Sequence, residues 1–214
     1  MEKKKNLIKL LHSGIREANL SIPDPIQAKL LDYIEYLDKW NAVHNLTSVR
    51  DPLEMIHRHI LDSLVVLPFL PQGRVLDLGT GAGLPGIPLA LSQPDRQFVL
   101  LDSNQKKINF VQHMILSLEL RNTLVVCSRA ESYQPKDLFD LVISRAFGSL
   151  KEFVRFSKHL CKRDGRMIAM KGVVSTSEIE EISMDTVIEK IENLKVPGSE
   201  ALRTLIFIKH KTEA

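Results

Sequence analysis

The sequence predicts an α/β fold, a doubly wound and mostly parallel sheet preceded by a helical region. Three observations carry that prediction. From Gly73 onward, short apolar runs alternate with amphipathic segments of helix length, the pattern of strands joined by crossover helices. The first run, Val75-Leu76-Asp77-Leu78, leads directly into a glycine cluster at Gly79, Gly81, Gly83 and Gly86. Ahead of position 66 the apolar residues recur instead with helical period.

Taken in order, Leu7, Leu10, Leu11, Ile15 and Ala18 mark a first helix. After the Ser-Ile-Pro-Asp-Pro break, Ile26, Leu30, Tyr33, Leu37 and Trp40 form a 4-3-4-3 stripe, read as a face packed on the rest of the protein. A third helix is expected at Asp51, which can cap it. Pro52 suits its first position, and Glu54 stands where a capping box places a carboxylate. Strands are then expected at 74–78, 98–101, 123–127, 138–144 and 166–171, with helices at 85–91, 106–118 and 150–160. Two further strands, 187–194 and 203–209, are separated only by the Pro197-Gly198 connection, so they read as an antiparallel pair closing one edge of the sheet. The organisation expected is one domain, with 1–66 as an N-terminal helical extension and 73–210 as the catalytic α/β core.

A chain of 214 residues accommodates one substantial core. Apolar content of 44% and charged content of 26% are those of a soluble globular protein. The net charge of +3 is too small to name a partner, which leaves the decision to how charge is distributed. The two cysteines, Cys127 and Cys161, form no CxxC or disulfide framework. They read as small buried hydrophobes in a reducing compartment. The opening Met-Glu-Lys-Lys-Lys lacks the pattern of a signal peptide, and the apolar run at 64–70 is short and contains Pro68. A cytoplasmic protein with no membrane partner is expected, and nothing demands more than a monomer.

The chemistry concentrates at the glycine loop. Gly81, Gly83 and Gly86 satisfy GxGxxG, and Asp102 lies about 20 residues on, as in a dinucleotide site. Two residues argue against that reading. Asp77 sets a carboxylate before the loop, which repels a pyrophosphate and attracts a sulfonium or ammonium. Pro85 removes an N–H that a phosphate uses at a helix start. A ligand with a cationic amino acid end and an adenosine end fits better, and S-adenosylmethionine is such a ligand. Asp102, closing the second strand, can accept hydrogen bonds from both ribose hydroxyls; the alternative is a helix N-cap for the segment near Asn104. The loop Ser128-Arg129-Ala130-Glu131 can lie against the adenine, with Glu131 as a solvated charge the plainer reading.

Basic residues gather between 151 and 171. Lys151, Arg155 and Lys158 share one helix face by their 4-3 spacing, and Lys171 ends a strand, a pattern suited to an RNA backbone or to ordinary solubility. His57 and His59 lack further ligands at metal-binding spacing, so no metal is expected. His59 with Asp62 and Ser63 reads as a hydrogen-bonded element near the cofactor mouth.

Seven motifs occur in order: Asn45-Leu46-Thr47, His59-Ile60-Leu61-Asp62-Ser63-Leu64, the loop from Asp77 to Gly86, Leu101-Asp102-Ser103, Arg129-Ala130-Glu131, Ser144-Arg145-Ala146-Phe147 and Met170-Lys171-Gly172. Together they resemble the RsmG family, also called glucose-inhibited division protein B. The resemblance implies a Rossmann-like class I S-adenosylmethionine-dependent methyltransferase. Its implied reaction methylates N7 of a guanine (guanine-527 in the usual numbering of the RNA) in 16S ribosomal RNA, with that RNA or the small ribosomal subunit as partner. It also implies that Gly79, Leu84, Ala130, Glu131 and Arg145 match cofactor-contacting positions and that Asp102 takes the ribose role.

The residues can be checked against the alternatives. Methylating carbon 5 of a pyrimidine needs a cysteine nucleophile. Methylating an exocyclic amine usually comes with an Asn/Asp-Pro-Pro-aromatic turn after the fourth strand, where this chain has Ser144-Arg145-Ala146-Phe147. Guanine N7 carries no proton, so alignment suffices and no general base is expected. Arg145 and Lys171 are the candidate readers of guanine, and Phe147 a candidate for stacking. The rival readings are an NAD-dependent oxidoreductase, a non-catalytic RNA-binding module, and a methyltransferase acting on a small molecule or protein.

Overall fold

Seven strands form one sheet in the order β3-β2-β1-β4-β5-β7-β6. They are β1 (Val75–Leu78), β2 (Phe98–Asp102), β3 (Thr123–Cys127), β4 (Phe139–Arg145), β5 (Cys161–Lys171), β6 (Thr186–Lys195) and β7 (Leu202–His210). The first five run parallel, and β7 lies antiparallel between β5 and β6. The computed structural model describes residues 2–145, 148–182, 185–200 and 202–211. The expected architecture is therefore present, including the antiparallel edge pair.

Strand residues alternate between two apolar cores. Phe98 and Leu100, Leu141 and Ile143, and Ile168 and Met170 face one cluster; Val99 and Leu101, Val142, and Met167 and Ala169 face the other. A parallel sheet covered on both faces needs such unbroken apolar strands, which is why these runs show no polar alternation. The first face carries helices α1 (Glu2–Glu17), α2 (Asp24–His44), α5 (Gly86–Ser92) and α6 (Gln105–Ser117); the second carries α7 (Leu150–Ser157). Ser149 and Glu152 close a capping box at the start of α7. A short helix α8 (Thr176–Glu180), which periodicity did not indicate, follows β5.

The stripe on α2 is core, as read from its spacing: Leu30, Tyr33 and Leu37 are buried, and Trp40 tilts against Phe110 of α6 at 5.6 Å between ring centroids. The Tyr33 hydroxyl donates to the backbone oxygen of Ala82 at 2.8 Å, so α2 also buttresses the glycine loop.

The third helical segment departs from expectation. Asp51 caps it, accepting from the Leu53 amide at 3.0 Å, but α3 (Pro52–Met55) passes at once into a π-helical turn, Ile56–Leu61, before α4 (Asp62–Leu64). The wider turn fits its neighbours: an added Cβ on Gly14 of α1 would lie 2.3 Å from Leu61. π-turns of this kind recur at functional sites, and here the turn carries His57, Arg58 and His59.

Candidate active site

The glycine loop leaves the carboxyl end of β1 and is anchored on several sides. The amides of Gly79 and Thr80 donate to the Leu101 oxygen at 2.8 and 2.9 Å, and the Gly81 amide donates to Asp102 Oδ2 at 2.9 Å. Two glycines serve different ends. Gly83 has φ +89°, and an added Cβ would meet Ile87 at 2.3 Å, so it permits close packing of α5. Gly81 has φ +60°, and an added Cβ would meet nothing nearer than 4.0 Å, so its open side is available to a ligand.

Asp77 sits beneath this loop and is absent from the lining of the cavity beside it. It is fully buried because β1 is a central strand covered on both faces. Oδ2 accepts from the Thr80 hydroxyl at 2.6 Å and from the Gly86 amide at 2.8 Å, while Oδ1 is buried with no hydrogen-bond partner. Burial pushes this carboxyl up to about 6. The arrangement removes the phosphate site of a dinucleotide fold, since Pro85 has no N–H and Gly86 gives its own to Asp77.

A cavity of about 280 Å³ opens beside the loop, lined by Leu78, Gly79, Asp102, Ala130, Glu131 and Phe156 among others. Four residues singled out in the sequence thus come together there: Gly79, Asp102, Ala130 and Glu131. Leu84 is buried, with its amide on the Thr80 oxygen at 2.9 Å, and with Gly83 it belongs to the loop's support. Asp102 Oδ1 accepts from the Asn104 amide at 2.8 Å, and Asn104, not Asp102, caps α6 by accepting from the amides of Lys106 and Lys107. A larger cavity, about 580 Å³, lies around Gly73, Arg74 and Arg96 at the amino ends of β1 and β2. Ligands in open α/β sheets sit at the carboxyl ends, so the smaller cavity is the candidate site.

Arg145 lies elsewhere. It ends β4 and lines a second cavity of about 270 Å³ with Thr47, Ser48, His57, Arg58, Asp62 and Arg203. Its Nη1 donates to Asp62 Oδ2 and to the Arg58 oxygen, both at 3.0 Å. Arg203 binds the same carboxylate from β7, Nε to Oδ1 at 2.6 Å and Nη2 to Oδ2 at 2.8 Å. His59 is hydrogen-bonded as anticipated, Nε2 to the Thr47 hydroxyl at 2.9 Å, with the Ser63 hydroxyl on its backbone oxygen at 2.6 Å. Burial pushes His59 down to about 4, so it is neutral near pH 7. Sequence reasoning missed the role of Arg203, which read only as a strand residue. The two cavities share an edge of the sheet: β1 and β4 are neighbours, and the Ser144 hydroxyl donates to the Leu78 oxygen at 2.6 Å.

Other expectations fare unevenly. Lys171 is not a free cation, because it is ion-paired with Glu178 and donates to the Gly148 oxygen at 2.9 Å. Lys158 pairs with Asp185 at 2.7 Å, whereas Lys151 and Arg155 are exposed, Arg155 lying 4.3 Å from the Phe156 ring centroid. Cys161 is buried, and burial pushes its thiol up to about 12. Cys127 is exposed, which corrects its reading as a buried hydrophobe: β3 is an edge strand, and position 127 lies at its end. Phe147, with Ala146, lies outside the described residues. No group of three metal-ligating side chains occurs among the described residues.

The fold and the acid-edged glycine-loop cavity define a class I S-adenosylmethionine-dependent methyltransferase. The sheet superposes on the ribosomal protein L11 methylase of Lactobacillus delbrueckii subsp. bulgaricus with a TM-score of 0.54, at 14% identity over 71% of this chain and 77% of that one. Residues 26–206 match the family model described as rRNA small subunit methyltransferase G. Relatives named ribosomal RNA small subunit methyltransferase G are 48% identical in Haemophilus influenzae (93% of this chain, 98% of that one) and 45% identical in Laribacter hongkongensis (94% and 97%). The chain belongs to the rRNA small subunit methyltransferase G family.

Proposed function

We propose that this chain transfers a methyl group from S-adenosylmethionine to N7 of a guanine in 16S ribosomal RNA. The observation that carries the reading is the pairing of two cavities at one sheet edge, one bordered by an acid and a glycine loop, the other lined by arginines. Family membership supports the ribosomal substrate. It also supports action in the cytoplasm, on the RNA or the small subunit. The proposal keeps the chain as a monomer, as expected from the sequence. The shared apolar cluster, running from Leu7 on α1 to Phe207 on β7, supports one domain in which 1–66 is an extension packed on the 73–210 core.

The residues present fit the cofactor. S-adenosylmethionine, when bound, supplies an electrophilic methyl group on a sulfonium. Asp102 keeps lone pairs for ribose hydroxyls although each oxygen already accepts one amide. Gly79 and Gly81 bring loop backbone to the ligand, with Gly83 and Leu84 fixing the loop's course. Ala130 and Glu131 border the adenine end. Asp77 acts through its field, since its unpartnered Oδ1 favours a nearby cation.

Guanine N7 presents a bare lone pair, so no residue removes a proton and alignment of the two reactants is the chain's main contribution. A guanidinium bonded to N7 would block that lone pair, so Arg145 is assigned to positioning and not to N7. Lys151 and Arg155 are the exposed cations for phosphate contact. Lys158 and Lys171 join them only by exchanging their carboxylate partners for phosphate.

The test is transfer of labelled methyl to undermethylated small subunits, mapped by chemical cleavage at 7-methylguanosine. One labelled guanine in 16S RNA supports the reading; incorporation into protein or into another RNA position overturns it.

A further inference from the structure

The second cavity is built around a buried carboxylate that holds two arginines at once. The Asp62 side chain is only 3% exposed, and Arg145 and Arg203 reach it from strands β4 and β7. Three of its contacts are direct charge-assisted hydrogen bonds, including the bidentate pair with Arg203. The exposed guanidinium of Arg58 lines the same cavity and carries no ion pair among the described residues. Asp62 offsets one of these three positive charges, and His59 beside it is neutral near pH 7. Two net positive charges therefore face a space bordered by the hydroxyl residues Thr47 and Ser48.

The donors left over define what fits. Arg145 spends Nη1 inside the protein, and Arg203 spends Nε and one hydrogen of Nη2. Each guanidinium thus retains N–H groups, held in fixed orientation by a carboxylate that solvent cannot reach. Two oriented guanidiniums next to the Ser48 hydroxyl match a tetrahedral oxyanion, and a phosphate offers the acceptors to satisfy them. Without Asp62 the two cations repel and their forks lose a common reference.

We propose that Asp62 is a positioning residue that holds Arg145 and Arg203 as a paired clamp for a phosphodiester group of the acceptor RNA strand, beside the methyl-donor cavity. The proposal rests on the RNA-methyltransferase reading. The clamp fixes the backbone of the target nucleotide at the β4 end, so that its base is presented across the Ser144–Leu78 junction to the first cavity.

The experiment compares wild type with Asp62→Asn and Arg203→Lys. Single-turnover methyl transfer is followed over a range of undermethylated small-subunit concentrations, and S-adenosylmethionine binding is followed separately by calorimetry. Arg203→Lys keeps the charge and loses the bidentate grip, so it remains informative if Asp62→Asn fails to fold. Half-saturating subunit concentration is expected to rise tenfold or more in both variants, with cofactor affinity within twofold of wild type. Asp62→Glu is expected to recover part of the loss. Arg203→Ala is expected to lower the slope of log affinity against log salt by about one. A tenfold loss of cofactor affinity with unchanged subunit saturation overturns the clamp and assigns the arginines to the cofactor carboxylate. Folded variants with both parameters within twofold of wild type reduce Asp62 to a structural ion pair and also overturn it. If wild type itself transfers no methyl to small-subunit RNA, the functional reading fails and the clamp with it, whereas wild-type transfer with intact variant saturation refutes the clamp alone.

Discussion

Replacing Asp77 by asparagine isolates the cost of holding a carboxylate beneath the glycine loop. In the native chain the group is fully buried, and burial raises it to about 6 against an ordinary 3.8. A carboxyl raised on folding contributes stability that is fully present below its unfolded value and lost as the pH rises through its folded value. At about 1.4 kcal/mol per pH unit of displacement, the loss between about pH 3 and pH 7 amounts to about 3 kcal/mol. Asparagine cannot ionise, and its carbonyl oxygen can still accept from Thr80 and Gly86. The unfolding free energy of Asp77→Asn minus that of wild type should therefore climb by about 3 kcal/mol from about pH 3 to pH 7. Any fixed offset from the new amide group cancels in that difference. Urea denaturation of both proteins across the range measures it, with equal m-values as the check on two-state behaviour. A difference that stays level within about 1 kcal/mol would refute the assignment of the orphaned oxygen to a strained, ionisable state. His59 makes the comparison necessary. Its depressed value, about 4, contributes stability that is lost as the pH falls from its unfolded value of 6.5, and so opposes the Asp77 slope in the native curve. A bound cation should favour the Asp77 carboxylate, so cofactor affinity is expected to rise with pH through about 6 in wild type and not in the variant.

Three further perturbations separate the parts of the site. Gly83→Ala should cost about 2–4 kcal/mol in unfolding free energy, because the new Cβ meets Ile87 at a positive φ, whereas Gly81→Ala should cost about 1–2 kcal/mol and weaken cofactor binding more than tenfold. Equal effects of the two on binding would show that the open side of Gly81 is not the ligand side. Asp102→Asn keeps an acceptor for the Gly81 amide and is expected to bind the cofactor about tenfold more weakly with little change in melting temperature, a loss of about 1.4 kcal/mol; calorimetry giving an affinity within twofold of wild type would remove Asp102 from the ribose role. Cys127→Ala should transfer methyl at the wild-type rate. In the native protein a thiol reagent should modify Cys127 while Cys161 stays silent, and loss of transfer in a folded Cys127→Ala variant would reopen covalent catalysis.

The sequence by itself determined the layers, the edge pair and the ligand loop. Those features rest on local physics: strand residues buried on both faces are mostly apolar, as in Phe98 to Leu101, and a chain turning tightly from β1 into α5 needs glycine at 81 and 83. The cap at Asp51 and the stripe on α2 were legible for the same reason, because their partners lie within a few residues or repeat with the helix. Tertiary structure alone decided the rest. Asp62 and Arg203 stand 141 positions apart, and no local pattern announces that β7 returns to a π-turn. Whether a charge is spent or free also depends on distant chain: Lys171 meets Glu178 through a helix that periodicity did not show, and Asp77 turns inward because β1 became a central strand. Cys127 is apolar company in sequence and exposed in space because β3 is the sheet's edge. Local sequence sets which conformations a segment favours, but solvation and charge pairing are set by what packs against it, and that is a property of the whole chain.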